Sequence, residues 1–186
     1  MNRHAWAVDL LALRPGSRVL EIGCGGGAAS ELALARLARG TLVAIDRSPK
    51  MIALAAKRNA AAVDEGRAVL RALALADAGE LGEQFDEVFA INVNVFWLGA
   101  SAELGVLRTL LRPRATLHLV YELPSATKVK ATVARIGAEL EANGFEVRDV
   151  RTDGARCAVK GRLARRQGRR RRGTAKRSRR SSSADR

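Results

Sequence analysis

Five residues of one short run carry the first chemical signal. Glu21, Gly23, Cys24, Gly25 and Gly27 lie in V-L-E-I-G-C-G-G-G, Val19 to Gly27, an apolar stretch that ends in an acid and alternating glycines. Glycine permits positive φ at a tight turn, and its missing Cβ lets a ligand approach the backbone closely. The residues that follow, Ala28 to Arg39, read as a helix. The first N–H groups of a helix are unpaired and its dipole is positive at that end. A strand, a glycine turn and a helix in this order predict a pocket for an anionic or strongly polar ligand.

Two cofactor patterns fit these glycines. Gly23, Gly25 and Ala28 satisfy G-x-G-x-x-G/A, in which a dinucleotide pyrophosphate sits on the helix end. Gly23, Gly25 and Gly27 satisfy E-x-G-x-G-x-G, with Glu21 two residues ahead of the first glycine. An acid at that point opposes a pyrophosphate and suits a ligand that carries positive charge. Further along, Asp46 closes the apolar run Val43 to Ile45 in the segment V-A-I-D-R-S-P. A carboxylate there carries two acceptor oxygens.

The second glycine pattern resembles motif I of the class I S-adenosylmethionine-dependent methyltransferases, and the resemblance extends over residues 4 to 161. It implies S-adenosyl-L-methionine as cofactor rather than NAD. Glu21 then organises the glycine loop and the methionine ammonium, and Gly23, Cys24, Gly25 and Gly27 form the loop itself. Asp46, with Arg47 beside it, matches the second motif and faces the ribose hydroxyls. Asp77 and Ala78, in A-L-A-D-A, match the third motif and face the adenine; Ala76 stands where the family usually has glycine. Asn92 or Val93 touches the methionine part, with Asn94, Phe96 and Trp97 toward the acceptor. The prolines that mark enzymes acting on base amines or glutamine amides are missing here, which disfavours that subclass. Cys24 reads as a small packing residue, not a nucleophile. His118, Tyr121 and Glu122 lie where acceptor-side groups occur, although the alternation of His118 with Leu117 and Leu119 favours packing. His4, on the N-terminal helix, has no stronger case.

These residues need elements to hold them. Helix-like and strand-like segments alternate, which predicts a doubly wound α/β domain with a mostly parallel sheet. The expected strands are Arg18 to Ile22, Thr41 to Ile45, Ala68 to Leu75, Phe85 to Val93, Thr116 to Tyr121, Phe145 to Arg151 and Ala155 to Gly161. The last two join through Asp153-Gly154, a strong hairpin signal, so the seventh strand is antiparallel. Helices are expected at His4 to Leu13, Ala28 to Arg39, Ser48 to Val63, Ala102 to Leu111 and Ser125 to Asn143, with Arg112-Pro113 as a break.

Composition sets the outer limits. The 186 residues suffice for one ordinary domain. The formal charge of +14 is unevenly placed: twelve cations beyond Gly161, opposed there by Asp185, leave +3 for residues 1–161. Residues 1–161 are therefore expected to form the domain and 162–186 a basic, disordered appendage. Clustered arginines there suit non-specific contact with nucleic-acid phosphates. No run approaches the ~18 apolar residues of a membrane span, no secretory signal is apparent, and two distant cysteines make neither a disulfide framework nor a metal site. A cytoplasmic setting is the expectation. The cover over the site is small, so the site is either open or completed by a second copy in a homodimer. A small-molecule acceptor is expected, with RNA or an RNA-associated protein, or a non-catalytic cofactor-binding role, as alternatives.

Overall fold

A computed structural model of the chain describes residues 2–164, and the basic run from residue 165 onward lies outside the described residues. The strands are β1 (Arg18–Ile22), β2 (Thr41–Asp46), β3 (Ala68–Ala72), β4 (Phe85–Ile91), β5 (Leu111–Glu122), β6 (Phe145–Asp153) and β7 (Arg156–Leu163). The helices are α1 (Arg3–Asp9), α2 (Ala28–Leu34), α3 (Pro49–Arg58), α4 (Ala60–Asp64), α5 (Ser101–Leu110) and α6 (Val129–Ala142). The strands form one sheet in the order β3-β2-β1-β4-β5-β7-β6. Neighbours from β3 to β5 run parallel, and β7 runs antiparallel to both β5 and β6. The expected seven-stranded α/β sheet with a terminal antiparallel hairpin is therefore present.

Both faces of the central strands are covered, which is why β1, β2 and β4 are almost continuously apolar. Val19, Leu42, Ala44 and Phe89 pack with Ala29 and Ala33 of α2 on one face. Leu20, Val43, Ile45 and Val88 pack with Leu104 and Leu107 of α5 and Ile136 and Leu140 of α6 on the other. Each fully buried leucine or isoleucine contributes about 1.5–3 kcal/mol.

The chain winds outward from β1 through β2 to β3 and then returns to place β4 on the other side of β1. Loops leaving β1 and β4 diverge at that point, and a crevice opens beyond the strand ends.

Four expectations change in the structure. Arg112-Pro113 was expected to stand before the fifth strand, yet β5 begins at Leu111 and includes both residues. Pairing with β4 shifts register between Phe85 and Glu87, and Arg114 adopts φ 72°. At such a bulge a proline's missing N–H costs no ladder hydrogen bond. The expected helix from Ser48 to Val63 is divided at Asn59 into α3 and α4. The strand expected to reach Leu75 stops at Ala72, and a 3-10 helix, Leu75–Leu81, follows. The final strand passes Gly161 and ends at Leu163, so the folded part is slightly longer than expected.

The start of the sheet depends on a close backbone approach at Gly40. Thr41 N–H donates to the Ser17 carbonyl at 3.1 Å, and a Cβ added at Gly40 would overlap that same oxygen. We expect Gly40→Ala to lower stability by about 1–3 kcal/mol. Gly16→Ala, where an added Cβ meets nothing within 4 Å, should change it by less than about 0.5 kcal/mol. Paired urea melts of the two variants check this.

Candidate functional site

The glycine turn is held by the end of the neighbouring strand. The Ile45 carbonyl accepts from Gly23 N–H at 2.8 Å and from Cys24 N–H at 3.1 Å. Asp46 continues the arrangement, with Oδ2 accepting from Gly25 N–H and Oδ1 from Ser48 N–H, both at 2.9 Å. Gly27 N–H donates to the Cys24 carbonyl at 3.0 Å. Gly23, Gly25 and Gly27 have φ of 67°, 52° and 76°, conformations that cost a side-chain-bearing residue roughly 1–2 kcal/mol each.

Asn59 closes the far side of the loop. Its buried Nδ2 donates to the Gly27 carbonyl at 3.2 Å and to Ala55 at 2.9 Å. A Cβ at Gly27 would stand 2.6 Å from Asn59 Nδ2 and 2.8 Å from Ala55 Cβ, so glycine is required by contact as well as by φ. The break between α3 and α4 thus brings an amide onto the turn. A lone Asn inside an otherwise helical run is the sequence signal for it.

Glu21 points from β1 toward α2, where Ser30 Oγ donates to its Oε2. Both side chains are buried. Burial pushes the Glu21 carboxyl up to about 8; the Ser30 hydrogen bond opposes this and the nearby Asp46 charge adds to it. Cys24 is also buried, and its thiol is pushed up to about 12 by burial and then by Glu21 and Asp46. It is no nucleophile at neutral pH.

Across the crevice, Asn92 holds φ 57°. Its N–H donates to the Val120 carbonyl and its Oδ1 accepts from Glu122 N–H, each at 2.9 Å. Tyr121 O–H donates to the Val93 carbonyl at 2.6 Å, and burial keeps the phenol protonated. The loop after β4 is therefore fixed from β5. It also presses on the glycine turn: a Cβ at Gly23 would stand 2.6 Å from Val93 Cγ2.

Between these parts lies a cavity of about 640 Å³ at the carboxyl ends of β1, β2 and β4, within the ~300–1,000 Å³ usual for small-ligand pockets. Of the residues singled out from sequence, Gly23, Asp46, Arg47, Asn92, Val93 and Asn94 are on its wall. Glu21, Cys24, Gly25 and Gly27 support the turn without forming that wall. The wall beside β3 is made by Leu73 to Ala76. Asp77 and Ala78, expected there, follow directly in the 3-10 helix and are not on it: Asp77 N–H bonds back to the Ala74 carbonyl, and Ala78 is packed in the core. β3 ends early, so the register slips. Val95, Leu98, Gly99 and Glu103 complete the other end and were not anticipated.

The aromatic pair has a structural task. Phe96 is fully buried, and Trp97 lies 4.3 Å from Tyr121, centroid to centroid. His118 is buried in mid-strand, with Nε2 3.0 Å from Thr116 Oγ1 and 3.2 Å from Glu87 Oε2. Glu122 pairs with Arg3 and Arg156. Neither reaches the cavity wall.

Folding raises the Glu21 pKa from its ordinary 4.5 to about 8, so between these values the folded state holds more protons than the unfolded state. Stability from this group is full below about pH 4.5 and is lost as pH rises toward 8. Glu21→Gln keeps a neutral acceptor for Ser30 and cannot titrate. The stability of the native protein minus that of Glu21→Gln, from denaturant melts between pH 5 and 8.5, should therefore fall with rising pH; a flat or rising difference would contradict the assignment.

The sequence profile of a family described as a methyltransferase domain matches residues 20–117. No curated protein matches the sequence. Among solved structures, the fold is similar to magnesium protoporphyrin IX methyltransferase from Synechocystis PCC 6803 with bound SAM. That pair shares 24% identity over 87% of this chain and 76% of the other, with a TM-score of 0.63. A glycopeptide N-methyltransferase complexed with SAM aligns at 16% identity over 87% and 93%, TM-score 0.69. Ribosomal protein L11 methylase from Lactobacillus delbrueckii subsp. bulgaricus aligns at 15% identity over 87% and 77%, TM-score 0.64. At these identities the structures speak for a shared fold, and their acceptors differ.

Proposed function

Because the chain belongs to the class I S-adenosylmethionine-dependent methyltransferase family, we propose that it transfers a methyl group to a small-molecule acceptor entering past Asn94 and Leu98. The observation that carries this reading is the charge of the cavity wall. Among the described residues on it, Arg47 is the one cation, against the carboxylates of Asp46 and Glu103, with Val93, Val95 and Leu98 supplying apolar surface. A phosphate chain would meet more repulsion than attraction there. A neutral or amine-bearing molecule of modest size would not.

The residues fit the cofactor that the family uses. Each Asp46 oxygen accepts one backbone N–H and keeps a second lone pair for a ribose hydroxyl. A Cβ added at Gly25 would meet no protein atom within 4 Å, so the space over that residue is open to a ligand. Glu21 acts from beneath by fixing α2 against β1, and Asn92 offers its free amide on the wall. Bound there, S-adenosylmethionine supplies a methyl group on sulfur and a neutral leaving group.

The protein's part is then alignment and exclusion of water, effects worth up to about 11 kcal/mol when reacting atoms are well oriented. The apolar residues Val93, Val95 and Leu98 narrow the approach, and Asn94 can orient a polar acceptor group. If the acceptor must lose a proton, Glu103 is the carboxylate on the wall that is not already committed to the glycine turn. His118 is excluded by position from serving as the base.

Two measurements test the reading. Calorimetry with S-adenosylhomocysteine should give nanomolar to micromolar binding to the native chain, weakened at least about tenfold, or ~1.4 kcal/mol, by Asp46→Ala; binding of NAD alone would remove the cofactor assignment. Incubation with methyl-labelled cofactor and fractionated cell extract should then label the low-mass fraction. Label found only in RNA or in protein would overturn the acceptor class.

A further inference from the structure

A second cavity, about 690 Å³, opens at the opposite end of the sheet, where β1, β4 and β5 begin. Arg14, Arg39, Arg114 and Arg162 line it together with Asp86 and Glu87. The two carboxylates are already engaged. Asp86 accepts from Arg18 N–H at 2.9 Å and from Arg112 Nη1 at 3.0 and 3.1 Å. Glu87 is buried and accepts from Thr116, with His118 Nε2 at 3.2 Å. The four lining arginines are exposed, and among the described residues none forms an ion pair.

The backbone beneath these guanidinium groups is fixed. Arg39 N–H donates to the Pro15 carbonyl at 2.8 Å, Arg14 N–H to Ser17 Oγ at 3.0 Å, and Ser17 N–H to the Arg14 carbonyl at 3.0 Å. Arg114 holds φ 72° in the bulge of β5. Among the described residues, two that are not glycine have positive φ: Asn92, on the wall of the cofactor cavity, and Arg114, here. A left-handed arginine is strained, and such strain tends to persist at ligand-binding positions.

We infer that this amino-end cavity is an anchoring site for the phosphodiester backbone of a nucleic acid. Guanidinium forks match phosphate oxygens in pairs. Four of them around one cavity suit a chain of anions better than a single one. Arg162 also leads directly into the run from Arg165 to Arg180, which extends the same basic composition along the sequence. Contacts of this kind position a protein without reading bases. The cavity lies roughly 15–25 Å from the cofactor site, the length of β1 to β4 at ~3.3 Å per residue, so nucleic acid held there is an anchor and not the methyl acceptor. The inference stands independently of which acceptor the carboxyl-end cavity takes.

The test uses the full chain and a fluorescein-labelled single-stranded RNA of 20 nucleotides, followed by fluorescence anisotropy across a salt series. The variant R14Q/R39Q/R114Q should bind at least tenfold more weakly near 0.1 M salt. The slope of log K against log salt should also fall by about 2, as expected for three lost contacts at ~0.7 each. Affinity for S-adenosylhomocysteine should be unchanged, which reports an intact fold. R39Q alone, at an exposed position, should change the slope by about 0.7 and serves if the triple variant is unstable. Single-stranded DNA of equal length should behave like RNA. Unchanged affinity and slope in both variants would overturn the site. So would displacement of the RNA by polyglutamate at equal charge, which would assign the surface to an acidic protein, or by micromolar pyrophosphate, which would assign it to a lone anion.

Discussion

A glycine turn is useful as a binding surface only when its own polar groups are held elsewhere, and here the end of β2 does the holding. Two N–H groups go to one carbonyl, Ile45, and a third goes to the Asp46 carboxylate. β1 and β2 are paired residue for residue up to Ile22 and Ile45, so the turn inherits the precision of the sheet. Everything else at the site is arranged around that fixed turn: Asn59 closes on it from the helical side, Val93 from β4, and Glu21 from below. The same carboxylate that braces the loop also faces the cavity. Support of the turn and part of the cavity wall are thereby joined in one residue.

Much of this was legible because local chemistry and global fold agree. Alternating glycines after an apolar strand need positive φ, and all three adopt it. Ser48 and Pro49 start a helix as their types demand, and Gly154 turns the last hairpin. What was not legible depends on contacts between segments distant in sequence. Pro113 reads as a breaker, yet a bulge against Phe85 and Glu87 lets the strand run through it. Asp77 lies two residues after the end of the expected third strand, but β3 stops at Ala72 and a 3-10 helix takes up that acid, leaving it off the cavity wall. Phe96 and Trp97 look like an acceptor platform, whereas one fills the core and the other packs at a tilt against Tyr121. Asn59 and Ser30 gain meaning only from what the fold brings within reach of them.

The two ends of the sheet differ in electrostatic character. Carboxylates face the cavity at the carboxyl ends, with one arginine beside them. At the amino ends, internal partners answer the acids and the arginines are left outward. The buried His118, Thr116 and Glu87 group belongs to this second end, as the floor under the basic rim and not as catalytic machinery. An excess of +3 over residues 1–161 is small, but its distribution gives the domain a polarity that a net charge conceals.

Cys24 acquires a different importance once the cofactor is considered as an alkylating agent. A methyl donor reactive enough to modify an acceptor is also reactive toward thiolates, and this protein carries a thiol in the middle of its glycine turn. Burial and two neighbouring carboxylates keep that sulfur protonated, and it points to the Gly25 carbonyl at 3.6 Å. The same burial and acids that shape the turn thus leave its one thiol protonated and a poor nucleophile.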